Sequence, residues 1–89
     1  MNPYNNKKLL NIADMKAVKI GVDVKPSTRK NKKLDVYKEG KKVASIGDIR
    51  YEDFNMHKDD KRRKNYKSRH ESNRKKVGTA GYYSDKILW

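Results

Sequence analysis

The stretch His57–Lys76, HKDDKRRKNYKSRHESNRKK, restricts the fold more than any other part of the chain. From Lys58 to Lys76 it carries ten Lys or Arg against three acids, a net +7 of the chain's +13. Tyr66 is its one aromatic, and it has no aliphatic residue larger than alanine. It reads as one long basic helix. Asp59 and Asp60 fall in the first turn and Arg74, Lys75 and Lys76 in the last, the order that complements the helix dipole, and Gly78 stops it. Such a helix has no apolar stripe to bury. It must pack shallowly or lie against an anion. Residues three and four apart share a face. The expected inward face therefore holds Arg62, Tyr66, Arg69 or His70, and Asn73, and the outward face Lys61, Lys64, Ser68, Glu71 and Lys75.

The rest of the chain has to supply the core. Val18, Ile20, Val22 and Val24 alternate with Lys19, Gly21 and Asp23, the period of a half-buried strand, and Pro26 ends it. Leu34–Lys38 and Val43–Ile46 read as two short strands joined through Glu39-Gly40, a hairpin. Together they predict a three-stranded antiparallel sheet. Ile49, Tyr51 and Phe54 are expected to tuck against it and steer the chain into the helix. The terminal YYSDKILW is the most apolar stretch, and its Trp89 is expected to dock on the open sheet face and complete the core. Residues 1–17 read as a weakly structured arm, with a short helical turn after an Asn6 cap as the alternative. The expected fold is thus α+β: a single small domain over 18–89, with a three-stranded antiparallel sheet, a long basic helix and a short C-terminal helix.

Charge narrows the function. An 89-residue chain that is 34% hydrophobic and 39% charged has a small core, and a domain of this size buries roughly 60–65% of its unfolded surface. With no cysteine it has neither a disulfide nor a thiolate metal site. No apolar run approaches the ~20 residues of a membrane span, and no signal-peptide core is visible. A surplus of +13 points to a polyanion. The cations expected to meet it are Lys61, Arg62, Arg63, Lys64, Lys67, Arg69, Arg74, Lys75 and Lys76 of the helix, with Lys25, Arg29, Lys30, Lys32 and Lys33 of the loop KPSTRKNKK. Ser27 and Thr28 add hydroxyl donors there. Tyr37 and Tyr51 could stack on bases, although a strand tyrosine is more often packed.

Other chemistries fit poorly. His57 and His70 are too far apart in sequence, and too thinly accompanied, for a metal-dependent nuclease. Gly78-Thr79-Ala80-Gly81 lacks the lysine and hydroxyl ending of a nucleotide-binding P-loop and reads as a turn. The helix has no apolar face to sink into a membrane surface. No nucleophile with a partnering base stands out, so no enzyme activity and no cofactor are expected.

The segments KPSTRKNKKLDVY, GKKVASIGDIRYEDF, HKDDKRRKNYKSRH and GTAGYYSDKILW occur in this order. Over residues 18–89 the chain resembles a family of small, basic, uncharacterised proteins of large double-stranded DNA viruses of algae and amoebae, with relatives in phage-like genomes. The most specific points are Gly47-Asp48 with Tyr51 and Phe54, the Tyr66-x-x-Arg69-His70 step, and Leu88-Trp89. The resemblance implies a setting rather than a reaction: the virion, or the interior of the host cell (cytoplasm, nucleus or virus factory). Two partners follow. One is nucleic acid, double-stranded DNA bound without sequence preference. The other is the acidic surface of virion proteins, which would make this a minor capsid or internal virion component.

Overall fold

The turn at Glu39-Gly40 sets the frame. Both residues adopt left-handed backbone, φ 52° and 78°, as a two-residue hairpin connection requires. The computed structural model covers residues 1–89. In it the turn joins β1-paired strand β2 (Leu34–Lys38) to β3 (Lys41–Ile46), β1 itself being Asp23–Pro26. The sheet is antiparallel in the order β1-β2-β3. A 3-10 turn at Pro3–Asn5 leads into α1 (Lys7–Lys19). After the sheet come α2 (Phe54–His57), α3 (Asp60–Arg69) and α4 (Ala80–Ile87). The fold is α+β, with a short C-terminal helix, as the sequence predicts.

One face of the sheet makes the core. Val24 lies opposite Val36, Leu34 opposite Ile46, and Ala44 opposite Val36 on the other side. α1 packs on β1 and α4 on β3, and the two helices touch each other. Ala13 and Ala17, one turn apart and fully buried, let α1 approach closely. α4 contributes Tyr83 and Ile87, and Leu88 follows directly. Each buried Leu or Ile side chain is worth about 1.5–3 kcal/mol. On the opposite face Asp35 is buried yet satisfied, accepting from Ser27 and Ser45 at 2.7 Å each, with Lys42 3.5 Å away. Burial alone would raise its pKa. The hydrogen bonds from Ser45 and Ser27 and the Lys42 charge outweigh burial and hold the carboxyl below its usual range.

A buried polar hub fastens the sheet to the helices. Asp53 caps α2 by accepting from the Met56 amide. It also takes the Lys33 ammonium at 2.8 Å and the Tyr4 hydroxyl at 2.9 and 3.0 Å. Asn55 donates to the Tyr4 oxygen at 3.1 Å and to the Ile87 carbonyl at 2.8 Å, and accepts from Lys16. Burial, then the Asp53 charge, raises the Tyr4 pKa, so its phenol stays protonated and donates. Gly47 lies against this hub. Its φ is +78°, and a Cβ there would stand 2.8 Å from Lys33 Cδ and 3.0 Å from Leu88 Cδ1. Lys33 is pinned by its ion pair and Leu88 is buried, so neither can yield cheaply. Gly47→Ala is expected to lower stability by about 1–3 kcal/mol, seen as a lower thermal midpoint. An unchanged midpoint would mean that the hub is looser than this packing implies.

Several sequence expectations about the elements differ from the structure. Residues 1–17 are not a weakly structured arm: Tyr4 is fully buried, and α1 starts at an Asn6 cap whose side chain accepts from the Lys8 amide at 2.8 Å. Of the expected strand over 18–24 only Asp23 and Val24 lie in β1; Val18 and Lys19 end α1, and Gly21 at φ +76° turns the chain between them. Alternation in VKIGV competed with a helical spacing through Ala13 and Ala17, and burial of that face won, leaving Val18 68% exposed. The long helix over 57–76 is broken. Lys58 takes φ 55° and closes α2, Asp59 recaps the chain as α3, and turns follow His70. Without an apolar stripe, nothing in the 70–77 segment rewards continuing the helix. Finally, Tyr51 does not tuck against the sheet but is 69% exposed.

Candidate nucleic-acid interface

α3 buries none of its residues completely, so something other than core packing must hold it. Its start is capped by Asp59, which accepts from the amides of Lys61 and Arg62 at 3.0 and 3.2 Å. Tyr66 stacks with His70 and with Trp89, ring centres 4.2 Å apart in each case and the Tyr66–Trp89 planes within 4° of parallel. Trp89 is therefore half-buried, packed against the margin of the core and stacked on α3. Ile87 and Leu88 close the core in its place. The Arg63 guanidinium lies 4.8 Å from the Phe54 ring centre, a cation–π contact. Lys67 donates to the buried Asp85 at 2.7 Å, and Arg62 to Glu52 at 3.0 Å. The expected outward face is correct for Lys61, Lys64, Ser68, Glu71 and Lys75, all exposed. The inward face differs: Arg63, Tyr66, Lys67 and His70 are half-buried, while Arg62, Arg69 and Asn73 are exposed.

These contacts sort the predicted cations into two groups. Lys33 is 2% exposed and committed to Asp53, so it cannot reach a phosphate. Arg62, Lys67, Arg74 and Lys75 are paired, Arg74 with Glu71 at 2.6 Å and Lys75 with the same carboxylate. Arg74 also donates from Nε to the Lys67 carbonyl, folding the chain back beyond the helix. No carboxylate pairs with Lys25, Arg29, Lys30, Lys32, Lys61, Arg63, Lys64, Arg69 or Lys76. Lys25 lies over the Tyr37 ring at 5.2 Å, which occupies that ring. Ser27 is also spent, donating to Asp35 and accepting from the Arg29 amide.

A cleft of about 520 Å³ runs between the Gly47–Asp53 segment and α3. Asp48 and the exposed Tyr51 border one side, and Arg62, Asn65 and Arg69 the other. Asp48 is held at about 2, first by hydrogen bonds from Arg50, with the Lys32 charge adding to the effect. The Ile49 amide donates to the Asn31 carbonyl at 3.0 Å, so the tip of the basic loop lies against the Gly47–Asp53 segment, although none of Arg29, Lys30 and Lys32 lines the cleft.

His57 and His70 have local tasks. His57 Nδ1 accepts from the Asp59 amide at 2.9 Å, and His70 Nδ1 lies 2.9 Å from the Tyr66 carbonyl, to which it donates. No three His, Asp or Glu side chains converge as a metal-ligand set. No helix is long and apolar enough to cross a membrane. Lys16, Lys19 and Lys86 form a further cationic cluster with Arg63 and Lys67 that sequence reading missed. The three-residue spacing of Lys16 and Lys19 was the available signal, hidden by reading residues 18–24 as a strand.

Among known families, the model described as "Family of unknown function (DUF5754)" matches residues 22–70, more than half of the chain. The match takes in the sheet, the cleft segment and α3. Neither the curated proteins nor the solved structures include a match.

Proposed function

The chain belongs to this family of unknown function, and from its own surface we propose that it binds double-stranded DNA through backbone phosphates, without reading sequence. The observation that carries this reading is the set of cations with no carboxylate partner: Lys61, Lys64 and Arg69 on α3, and Arg29, Lys30 and Lys32 on the basic loop, whose Asn31 carbonyl accepts from the Ile49 amide in the segment facing α3. Phosphate contacts supply affinity and orientation, and base contacts supply specificity. The groups offered here are charged and flexible, the kind that meets phosphate. In this reading the protein is a binding module that performs no reaction, and the setting is the genome of a large double-stranded DNA virus, in the particle or the infected cell.

The test is fluorescence anisotropy with a random 30-base-pair duplex from low to physiological salt. If about five phosphates are neutralised, the log–log slope is about −4.5. The triple variant Lys61→Gln/Lys64→Gln/Arg69→Gln should flatten that slope by about 2–3 and weaken binding at least tenfold at low salt, an order-of-magnitude expectation. No binding at low salt, or a variant as good as the parent, would sink the reading. Preference for one acidic virion protein over both duplex and heparin would instead favour the minor-capsid alternative.

A further inference from the structure

A second cationic depression, of about 280 Å³, opens between the end of α1, α3 and α4. Lys16, Lys19, Arg63, Lys67 and Lys86 gather there around a single carboxylate, Asp85. The cations repel one another. Burial lowers the Lys16 pKa, the Arg63 charge lowers it further, and Lys67 and Lys19 add to that against a contribution from Asp53. Two enclosed polar atoms here have no hydrogen-bond partner: Nε of Arg63, a donor, and Oδ2 of Asp85, an acceptor. Asp85 is 2% exposed. Its Oδ1 holds Lys67, and the Arg74 Nη1 stands 3.9 Å from Oδ2, beyond hydrogen-bond reach. Buried polar groups are seldom left so, and a bound ion or water is one way in which they are satisfied.

The partner that answers all of these groups is small and anionic, has acceptors for several cations, and carries one donor for Asp85. A phosphate group with a protonated oxygen has this pattern. Sulfate has the size and charge of hydrogen phosphate but no proton, and a backbone phosphodiester lacks both the second charge and the proton.

We propose that this depression is a binding site for a free or terminal phosphate group, with Lys16, Lys19, Arg63 and Lys86 donating to its oxygens and Asp85 accepting from its P–OH. Two sources carry such a group: inorganic phosphate and the 5′ end of a nucleic-acid strand. Only the second source rests on the nucleic-acid reading above.

Trp89, the chain's one tryptophan, lines the depression and reports on it. The experiment titrates its fluorescence with sodium phosphate, sulfate and chloride at equal ionic strength, near pH 6, where a phosphomonoester still keeps part of its proton. A saturable response is expected with phosphate, about tenfold weaker with sulfate, and absent with chloride. Lys19→Gln/Lys86→Gln changes two exposed side chains and should weaken phosphate at least about tenfold with an unchanged far-UV spectrum. A second arm compares 5′-phosphorylated and 5′-hydroxyl single strands. Preference for the phosphorylated strand assigns the site to strand ends, and equal binding alongside a phosphate response assigns it to free phosphate. The same weak response to all three salts, or sulfate binding as well as phosphate, overturns the proposal. Lys61→Gln/Lys64→Gln/Arg69→Gln should leave the phosphate titration intact, so failure here and failure of the duplex reading are separately visible.

Discussion

Replacing Asp53 by alanine will destabilise the protein by about 3–5 kcal/mol, the range for removing one member of a buried ion pair. Lys33 is as buried as its partner, side chains 2% exposed on both sides, so its ammonium would be left in the interior with no counter-charge. The Tyr4 hydroxyl loses its acceptor and the Met56 amide its cap in the same step. Small domains have only about 5–15 kcal/mol in total, so much of the population should unfold at moderate urea. Removing both charges, as in Lys33→Met/Asp53→Leu, should be milder than Asp53→Ala, because no uncompensated charge remains. Urea denaturation of the set checks this. A loss below about 1 kcal/mol for Asp53→Ala would mean that water reaches the pair.

Tyr4→Ala should cost a similar amount, about 3–5 kcal/mol. The ring is fully buried, and its hydroxyl bridges Asp53 and Asn55. Tyr4→Phe separates the two contributions. It keeps the ring and should cost about 1–2 kcal/mol, because Asp53 retains Lys33 while Asn55 loses one acceptor. Equal losses for the two variants would place the stabilisation in the hydroxyl. No loss in either would return residues 1–17 to the status of a loose arm. Because Tyr4 and Asp53 are in contact, the double variant should fall short of the sum.

What was legible in the sequence was local. The hairpin at Glu39-Gly40 rests on neighbours, and so does the Asn6 cap. Asp60 in the first turn of α3 needed only the order of the charges, whereas Asp59, expected beside it in that turn, is the cap. What was hidden depends on distant partners. Nothing in KPSTRKNKK distinguishes Lys33 from its neighbours until Asp53 meets it, 20 residues on. The end of α3 depends on Arg74 folding back towards Lys67 and Asp85, which no periodicity encodes. Trp89, expected on the open sheet face, packs at the margin of the core and stacks on Tyr66, itself the only aromatic of the basic stretch. For the candidate interface, charge density pointed to the basic loop and to α3. Only the fold showed which of those charges were already engaged.

The packing of α1 against α4 also has a consequence for how the chain is made. The hairpin can form from local contacts within about 1–10 μs. The N-terminal segment cannot be covered so early, since Tyr4 waits for Asp53 and Asn55, 49 and 51 residues later, and α1 waits for α4. Contacts of such long range come late, because loop closure is unfavourable before they repay it. During synthesis, Tyr4, Leu9 and Leu10 therefore precede the residues that complete the core, and Tyr4 stays wet until Asp53 and Asn55 have followed. Lys7, Lys8, Lys16 and Lys19 flank them. Like charge on each nascent copy keeps these apolar segments from finding one another during that wait.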